Sequence, residues 1–418
     1  MIYRVSCKSK NIEASIPLTA SKSESNRALI IFALSNQSVL LENISDSEDT
    51  LALQNAIDTI HSSRGPIHIN IGAAGTTMRF LTAYAAQLQG KECILSGTER
   101  MHERPIKELV NVLRSIGADI CYLDKEGYPP VRIKGKKLNG GKVSVEAGIS
   151  SQFISALLMI APTLENGLHL ELKGEIASAP YIRMTLNMMN ASGIAYTIVN
   201  DGRTIIISPQ IYQPHTFKIG ADWSSASYWY LIALFSNTCR IELLGLKNKS
   251  SQGDSIVASL FEPLGVKTTY LENSILLEKE SPDIDANKTY ELNLSDCPDL
   301  AQTIAVAYAA KGVSICLKGL KTLRIKETDR ISALISELSK IGVKATCNEK
   351  DELFIHRSSI HQPSTTIETF EDHRMAMSFA PLALCFDYIE INDPLIVKKS
   401  YPGFWNDLKK VGFTVHDQ

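Results

Sequence analysis

The feature that most constrains this chain is a glycine followed by an apolar residue, which recurs as Gly117-Ala118, Gly193-Ile194, Gly265-Val266, Gly342-Val343 and Gly412-Phe413. Each closes a stretch with helical spacing: 108–116, 184–190, 259–264, 331–341 and 404–411. A glycine there suits the position just past a helix, where a left-handed conformation closes the last turn. After the first four glycines come a strand, a polar turn and a second strand. One such turn, Asn200-Asp201-Gly202, is a hairpin signal. The period of roughly 70–77 residues exceeds that of common solenoid units. It suits a β-α-β-α-β-β module, several copies of which pack with helices inside sheets. The copy at the C-terminus shows only the first half of the motif. A sixth, near the N-terminus, is blurred, because the helix at 51–60 runs into Ser62-Ser63-Arg64-Gly65 without the usual ending.

A chain of 418 residues predicts two domains rather than one. No Pro/Ser/Gly-rich linker separates them, but small-residue tracts at 18–21 and 220–225 mark two crossings. Residues 1–21 and 221–418 are therefore expected to form one domain, and 22–220 an inserted one, with the ligand site between them. A net charge of −2 gives no reason to invoke nucleic acid or a membrane surface, so any anion site must come from locally concentrated Lys and Arg. No apolar run approaches the ~18 residues of a membrane span. Eight cysteines without a C-x-x-C pair, and nine histidines without ligand spacing, predict reduced thiols and no metal. The first residues resemble neither a signal peptide nor a transit peptide, and a cytoplasmic location is expected.

Basic, small-residue clusters stand where helices are expected to begin. In Ser21-Lys22-Ser23-Glu24-Ser25-Asn26-Arg27, before an apolar run, an N-cap at Ser23 or a neighbour would present unpaired N–H groups and the positive end of the dipole. Lys22 and Arg27 add full charges to a site already suited to phosphate. Gly72-Ala73-Ala74-Gly75-Thr76-Thr77-Met78-Arg79 is a glycine-rich turn into a helix, neither a Walker A loop nor a G-x-G-x-x-G fingerprint. Arg104 stands beside the rigid Pro105, and Ser150-Ser151-Gln152 precedes another apolar run. In Arg324-Ile325-Lys326-Glu327-Thr328-Asp329-Arg330 the spacing predicts Lys326 and Arg330 on one side of a helix, four apart, with Glu327 beside them. Asp372-His373-Arg374 opens a further helix, and Lys399 precedes Tyr401-Pro402. So many cations from both halves point to two anions, at least one of them phosphorylated.

Taken in order, Ser21-Lys22-Ser23…Ser25-Asn26-Arg27, Gly75-Thr76…Arg79, Arg104-Pro105, Ser150-Ser151-Gln152, Pro180-Tyr181-Ile182, Lys326-Glu327-Thr328-Asp329-Arg330 and Asp372-His373-Arg374-Met375-Ala376-Met377 resemble the EPSP (5-enolpyruvylshikimate-3-phosphate) synthase family of enolpyruvyl transferases. The resemblance runs from about residue 17 to 408. It implies an α/β fold of two similar domains, each of three β-α-β-α-β-β repeats (an inside-out α/β barrel). It also implies transfer of the enolpyruvyl group of phosphoenolpyruvate to the 5-hydroxyl of shikimate 3-phosphate, releasing phosphate, without metal or cofactor and as a monomer. By the same resemblance, Lys22, Ser23, Arg27, Ser150, Ser151, Gln152, Ser178, Asp299, Thr322 and Lys326 are expected to bind shikimate 3-phosphate. Lys22, Gly75, Arg104, Gln152, Arg330, Arg374 and Lys399 are expected to bind phosphoenolpyruvate. Asp299, Glu327 and Lys22 are expected to be the catalytic residues: Asp299 and Glu327 take the base and acid roles, and Lys22 bridges both substrates.

The chain departs from the family pattern at Ala73, where many relatives have Asn, at Phe80, where some have Pro, and at Thr322, where Asn is frequent. Two rivals differ in recognisable ways. The sister enzyme acting on UDP-N-acetylglucosamine carries a reactive Cys before its Arg-Pro pair, whereas 96–104 here holds none. A catalytically silent relative that binds phosphorylated metabolites would not need to keep Asp299 and Glu327.

Overall fold

The computed structural model describes residues 1–418, which divide into two compact units: Ala20–Ile219, and Met1–Thr19 with Gly220–Gln418. Every marker glycine lies in the left-handed region, with φ of 104° at Gly117, 82° at Gly193, 90° at Gly265, 84° at Gly342 and 94° at Gly412. The helices they close are Lys107–Ser115, Ala179–Ala191, Arg330–Lys340 and Phe404–Lys410, whereas Gly265 ends a turn that follows the helix Val257–Phe261 and its C-cap Glu262.

Within Ala20–Ile219, two repeats share one sheet pattern. Strand Ile67–Asn70 runs parallel to Glu92–Ser96, which pairs antiparallel with Val131–Lys134, itself antiparallel to Asp119–Tyr122. Strands Gly141–Glu146, Leu168–Lys173, Thr204–Ile207 and Thr197–Val199 repeat that order. The third repeat has only the parallel pair Leu40–Glu42 and Thr216–Lys218. Its hairpin is missing, and the helix Glu48–Ser62 ends in an extended Ser63. That missing hairpin accounts for the blurred sixth copy in the sequence.

The other unit has the same plan. Strands Asn11–Pro17, Thr238–Leu244, Ser274–Lys279 and Val266–Tyr270 form one sheet, and Thr289–Asn293, Ser314–Lys318, Leu353–Ile355 and Ala345–Cys347 another. The C-terminal half-motif is completed from the far end of the chain. Strand Ile2–Cys7 inserts antiparallel between Ile389–Asn392 and Phe413–Asp417, while Ile367 forms a parallel bridge with Ile391.

Helices form the interior of each unit. Gly75–Ala86, Ser151–Ile160, Trp223–Phe235, Ala301–Lys311 and His373–Phe379 are buried over nearly their whole surface, as helices apolar all round must be. Sheet strands alternate instead: in Thr238–Leu244, Cys239, Ile241 and Leu243 face inward and Thr238, Arg240 and Leu244 are exposed. Each fully buried Leu, Ile or Phe contributes roughly 1.5–3 kcal/mol of transfer free energy. A buried helix must still satisfy its first N–H groups, so polar residues collect where these helices start. No helix is long and apolar enough to cross a membrane, and no disulfide joins the eight cysteines.

Candidate functional site

In the unit Ala20–Ile219 the predicted residues gather at the starts of the inner helices. The cap of the first is Ser21, not Ser23: its Oγ accepts from the backbone N–H of Glu24 at 3.4 Å, so the helix Lys22–Leu34 opens on Lys22 itself. Lys22 Nζ donates to Asp49 Oδ2 at 3.1 Å, and Thr77 Oγ1 donates to the Asp49 carbonyl at 2.9 Å. These bonds join the first turns of Lys22–Leu34, Glu48–Ser62 and Gly75–Ala86. Gln152 Nε2 donates to Thr76 Oγ1 at 3.0 Å, which adds the Ser151–Ile160 helix to the cluster. Ser150 Oγ caps that helix by accepting from the Gln152 N–H, so capping accounts for this serine before any ligand is considered. Ser178, at φ 56°, precedes the helix Ala179–Ala191.

Gly75 has a steric reason to be glycine. A Cβ there would lie 2.5 Å from Nη1 of the buried Arg104. Arg27 turns inward. Its Nε donates to Thr185 Oγ1 at 2.7 Å, Nη1 to the Ser23 carbonyl, and Nη2 to Ser155 Oγ and the Tyr181 carbonyl. Burial lowers its pKa to about 10. Most of its donors are committed to holding three helices together.

The second cluster lies in the unit containing both termini and centres on Arg330, whose side chain is 2% exposed. Its Nη1 donates to Asp299 Oδ1 at 2.8 Å, Nη2 to Glu327 Oε2 at 2.9 Å, and Nε to Asp372 Oδ2 at 2.6 Å. Arg374 Nη2 donates to the other Asp299 oxygen at 2.8 Å, Lys326 Nζ stands 3.6 Å from Asp299 Oδ1, and Lys399 Nζ 3.4 Å from Glu327 Oε1. Burial pushes the Asp299 carboxyl up, but Arg374, Lys326 and Arg330 together hold it well below the usual carboxylate range.

Here the sequence expectation for Lys326 and Arg330 is corrected. Asp329 is the N-cap, accepting from the N–H groups of Ile331 and Ser332, so the helix starts at Arg330 and Lys326 lies before it in extended backbone. The two cations meet on Asp299, not along a helix face. Arg324, from the same charged run, pairs with Asp329 and Asp351 nearer the surface. Thr322 lies in the turn Lys321–Ile325, buried, with a hydroxyl that has no hydrogen-bond partner.

Sequence reasoning missed the groups that hold the cations. Asp49 had only the signal of an acid in a first helical turn. Asp372, which takes Arg330 and caps the Arg374 N–H at 2.8 Å, was visible only as part of a charged segment. Tyr228, whose hydroxyl accepts from Arg374 Nη1 at 3.3 Å, carried no signal, because it sits inside an apolar helix.

The chain matches the EPSP synthase (3-phosphoshikimate 1-carboxyvinyltransferase) family over residues 58–408. It is 46% identical over 416 residues to a 3-phosphoshikimate 1-carboxyvinyltransferase of Bacteroides fragilis (strain YCH46), covering 99% of this chain and 99% of that protein. A protein of the same name from Haemophilus influenzae is 36% identical, with 96% of each chain covered. An EPSP synthase structure from Acinetobacter baumannii superposes with a TM-score of 0.74 at 19% identity, covering 100% of each chain. The enolpyruvyl transferase NikO from Streptomyces tendae gives the same TM-score at 12% identity, covering 99% of this chain and 98% of that one, so both structures bear on the fold alone. By its sequence over almost its full length, this chain belongs to the EPSP synthase family.

Proposed function

We propose that this protein transfers the enolpyruvyl group of phosphoenolpyruvate to the 5-hydroxyl of shikimate 3-phosphate and releases phosphate. The observation that carries the reading is a pair of carboxyls, Asp299 and Glu327, held by one buried guanidinium and bordered by Lys326, Arg374 and Lys399. Two anionic substrates call for the cations, and an addition–elimination calls for the paired carboxyls. In the addition, the 5-oxygen bonds to the substituted enol carbon, its proton passes to Asp299, and the methylene carbon takes a proton from Glu327. In the elimination, the bond from that carbon to the phosphate oxygen breaks and the methyl group returns a proton, restoring the double bond. Each proton transfer accounts for ~10²–10⁴-fold in rate, and the cations counter charge on the departing phosphate.

Asp299 is a weak base while three cations surround it. Substrate phosphates and carboxylates that draw Arg374, Lys326 and Arg330 toward themselves raise its basicity, so ligand binding prepares the base. In this reading both clusters serve the same pair of substrates. Lys22, Ser23, Ser150, Ser151, Gln152, Ser178, Thr322 and Lys326 hold shikimate 3-phosphate, with Arg27 bracing that side. Gly75, Arg104, Gln152, Arg330, Arg374 and Lys399 receive phosphoenolpyruvate, and Lys22 contacts both. A cytoplasmic monomer working without metal or cofactor is part of the same reading. The alternative acceptor, UDP-N-acetylglucosamine, gains no support from Cys93: it is 1% exposed within strand Glu92–Ser96, and burial pushes its thiol up to about 11. Phosphate release measured with both substrates, and with each alone, tests the proposal. Release only with the pair is the expected result, and no release with the pair would overturn it.

A further inference from the structure

Arg374 is held from two sides. Its Nη2 donates to Asp299 Oδ2 at 2.8 Å, and its Nη1 donates to the hydroxyl of Tyr228 at 3.3 Å. The first partner is the carboxyl given the part of base in the reading above. The second is a phenol, 1% exposed within the apolar helix Trp223–Phe235, and it has no part in that chemistry. Burial pushes this phenol well above its ordinary range, with Arg374 pulling the other way, so it stays un-ionised from acid to well beyond neutrality. Tyr228 thus offers the guanidinium an oxygen without a charge.

The phenol is itself fixed. Its ring meets that of Phe404 edge to face, centroids 6.1 Å apart, and Phe404 meets Tyr401 at 5.7 Å and Trp405 at 5.0 Å in the same manner. On the residue before it, Ser227 Oγ stands 3.0 Å from Thr303 Oγ1, which stands 3.5 Å from Ser378 Oγ. These hydroxyls tie Trp223–Phe235 to the helices Ala301–Lys311 and His373–Phe379. Thr303 is one helical turn on from Asp299, and Ser378 one turn on from Arg374. The placement of Tyr228 against Arg374 and Asp299 is therefore set by packing and neutral hydrogen bonds, independently of the charged cluster.

We infer that Tyr228 is a positioning residue for phosphoenolpyruvate, its hydroxyl holding Nη1 of Arg374 so that Nη2 can pass from Asp299 to the incoming anion without the guanidinium turning. This rests on the functional reading above. A guanidinium beside a carboxylate favours a two-pronged pair, two parallel N–H···O bonds. Here Nη2 lies on Asp299 and Nη1 on the phenol instead. Without the phenol oxygen, Nη1 turns onto Asp299 as well, and that stronger pair must be broken before Arg374 can receive an anion. Binding then carries a cost that the wild type avoids by holding the guanidinium ready. Tyr228 touches no substrate in this scheme and acts through Arg374 alone.

The test compares the full-length wild type with Tyr228→Phe, which removes one oxygen and keeps the ring, and with Tyr230→Phe. The second is a matched loss on the same helix: Tyr230 is as deeply buried, and its hydroxyl lies 2.8 Å from the neutral Thr268 Oγ1. Phosphate release gives kcat and a KM for each substrate. Tyr228→Phe should raise the phosphoenolpyruvate KM roughly tenfold, the scale of one hydrogen bond to a charged group. The shikimate 3-phosphate KM and kcat should each hold within about threefold, because the change acts on binding one anion and not on the chemical step. Tyr230→Phe should move neither KM by more than about twofold while losing a similar amount of melting temperature, which separates positioning from mere loss of a buried bond. A crystal structure of substrate-free Tyr228→Phe should show both Nη atoms of Arg374 on the Asp299 carboxylate. A phosphoenolpyruvate KM unchanged in Tyr228→Phe, an equal rise in both constants, the same rise in Tyr230→Phe, or an Arg374 that keeps its wild-type pose would overturn the inference. Absence of phosphate release by the wild type with both substrates would instead overturn the functional reading, and the role of Tyr228 with it, whatever pose Arg374 takes in the variant.

Discussion

Arg330 and Asp299, 31 residues apart in sequence, meet at 2.8 Å in a setting where the guanidinium is almost wholly buried and also holds Glu327 and Asp372. One cation thus fixes the spacing of the two carboxyls proposed as base and acid. Three anions around one buried guanidinium would be unbalanced without Lys326, Arg374 and Lys399, which border the same group. Because each member is paired, removing one leaves its partner buried and uncompensated, and the cost exceeds that of a surface pair.

Glu327 offers the most direct test of the chemistry. Replacing it with Gln keeps the side chain's shape and a carbonyl for Arg330, but removes the acid. Turnover should fall ~10²–10⁴-fold, while shikimate 3-phosphate affinity, read by calorimetry, stays within a few-fold. Unchanged turnover would refute the role given to Glu327.

Gly75, in the unit Ala20–Ile219, carries a second test. A methyl group at this position would fall 2.5 Å from Arg104 Nη1, and the buried guanidinium has to move to make room. Gly75→Ala should therefore raise KM for phosphoenolpyruvate by roughly an order of magnitude, the loss of a charge-assisted bond worth ~1.5–3 kcal/mol in part. The shikimate 3-phosphate KM should hold within about twofold. Equal rises in both constants would mean that Arg104 does not separate the two ligands.

Lys22 is assigned to both substrates, so Lys22→Met should weaken each in separate titrations. The same change strands Asp49, whose side chain is 5% exposed, without its cation. A drop in melting temperature should accompany the binding loss. Normal affinity for either ligand would remove Lys22 from that half of the assignment.

The parts of this architecture legible in the sequence are those that local physics dictates. Gly117, Gly193, Gly265, Gly342 and Gly412 are readable because a left-handed residue past a helix is poorly served by any other side chain. The hairpin at Asn200-Asp201-Gly202 is readable for the same reason, with φ of 53°, 51° and 84°. What depends on distant pairing stayed hidden. Nothing within Ile2–Cys7 announces that it completes a repeat begun almost 400 residues later. The helix rule put Lys326 beside Arg330, and the Asp329 cap overrode it by starting the helix later. Cations at helix starts were visible one by one, whereas Asp49, Asp254, Asp372 and Tyr228 gain their meaning only from partners brought to them by the fold.

Asp254 also makes a prediction for folding that requires no substrate. This carboxyl, 1% exposed on the turn Gly253–Ile256, moves from its ordinary value of 3.8 up to about 7 in the folded chain, with burial as the leading cause. Between those values the native state holds a proton that the unfolded chain has released, so stability falls as pH rises through this window and the loss is complete above about 7. Asp254→Asn carries no titrating group and escapes the loss. Its melting temperature should equal that of the wild type near pH 4 and exceed it by several degrees near pH 8. The gap should open between those limits and correspond to a few kcal/mol on the order-of-magnitude scale of ~1.4 kcal/mol per unit. Depressed groups such as Asp299 lose their contribution on the acid side in both proteins, so they cancel in the difference. A gap of constant size across the range would show that Asp254 keeps its charge throughout.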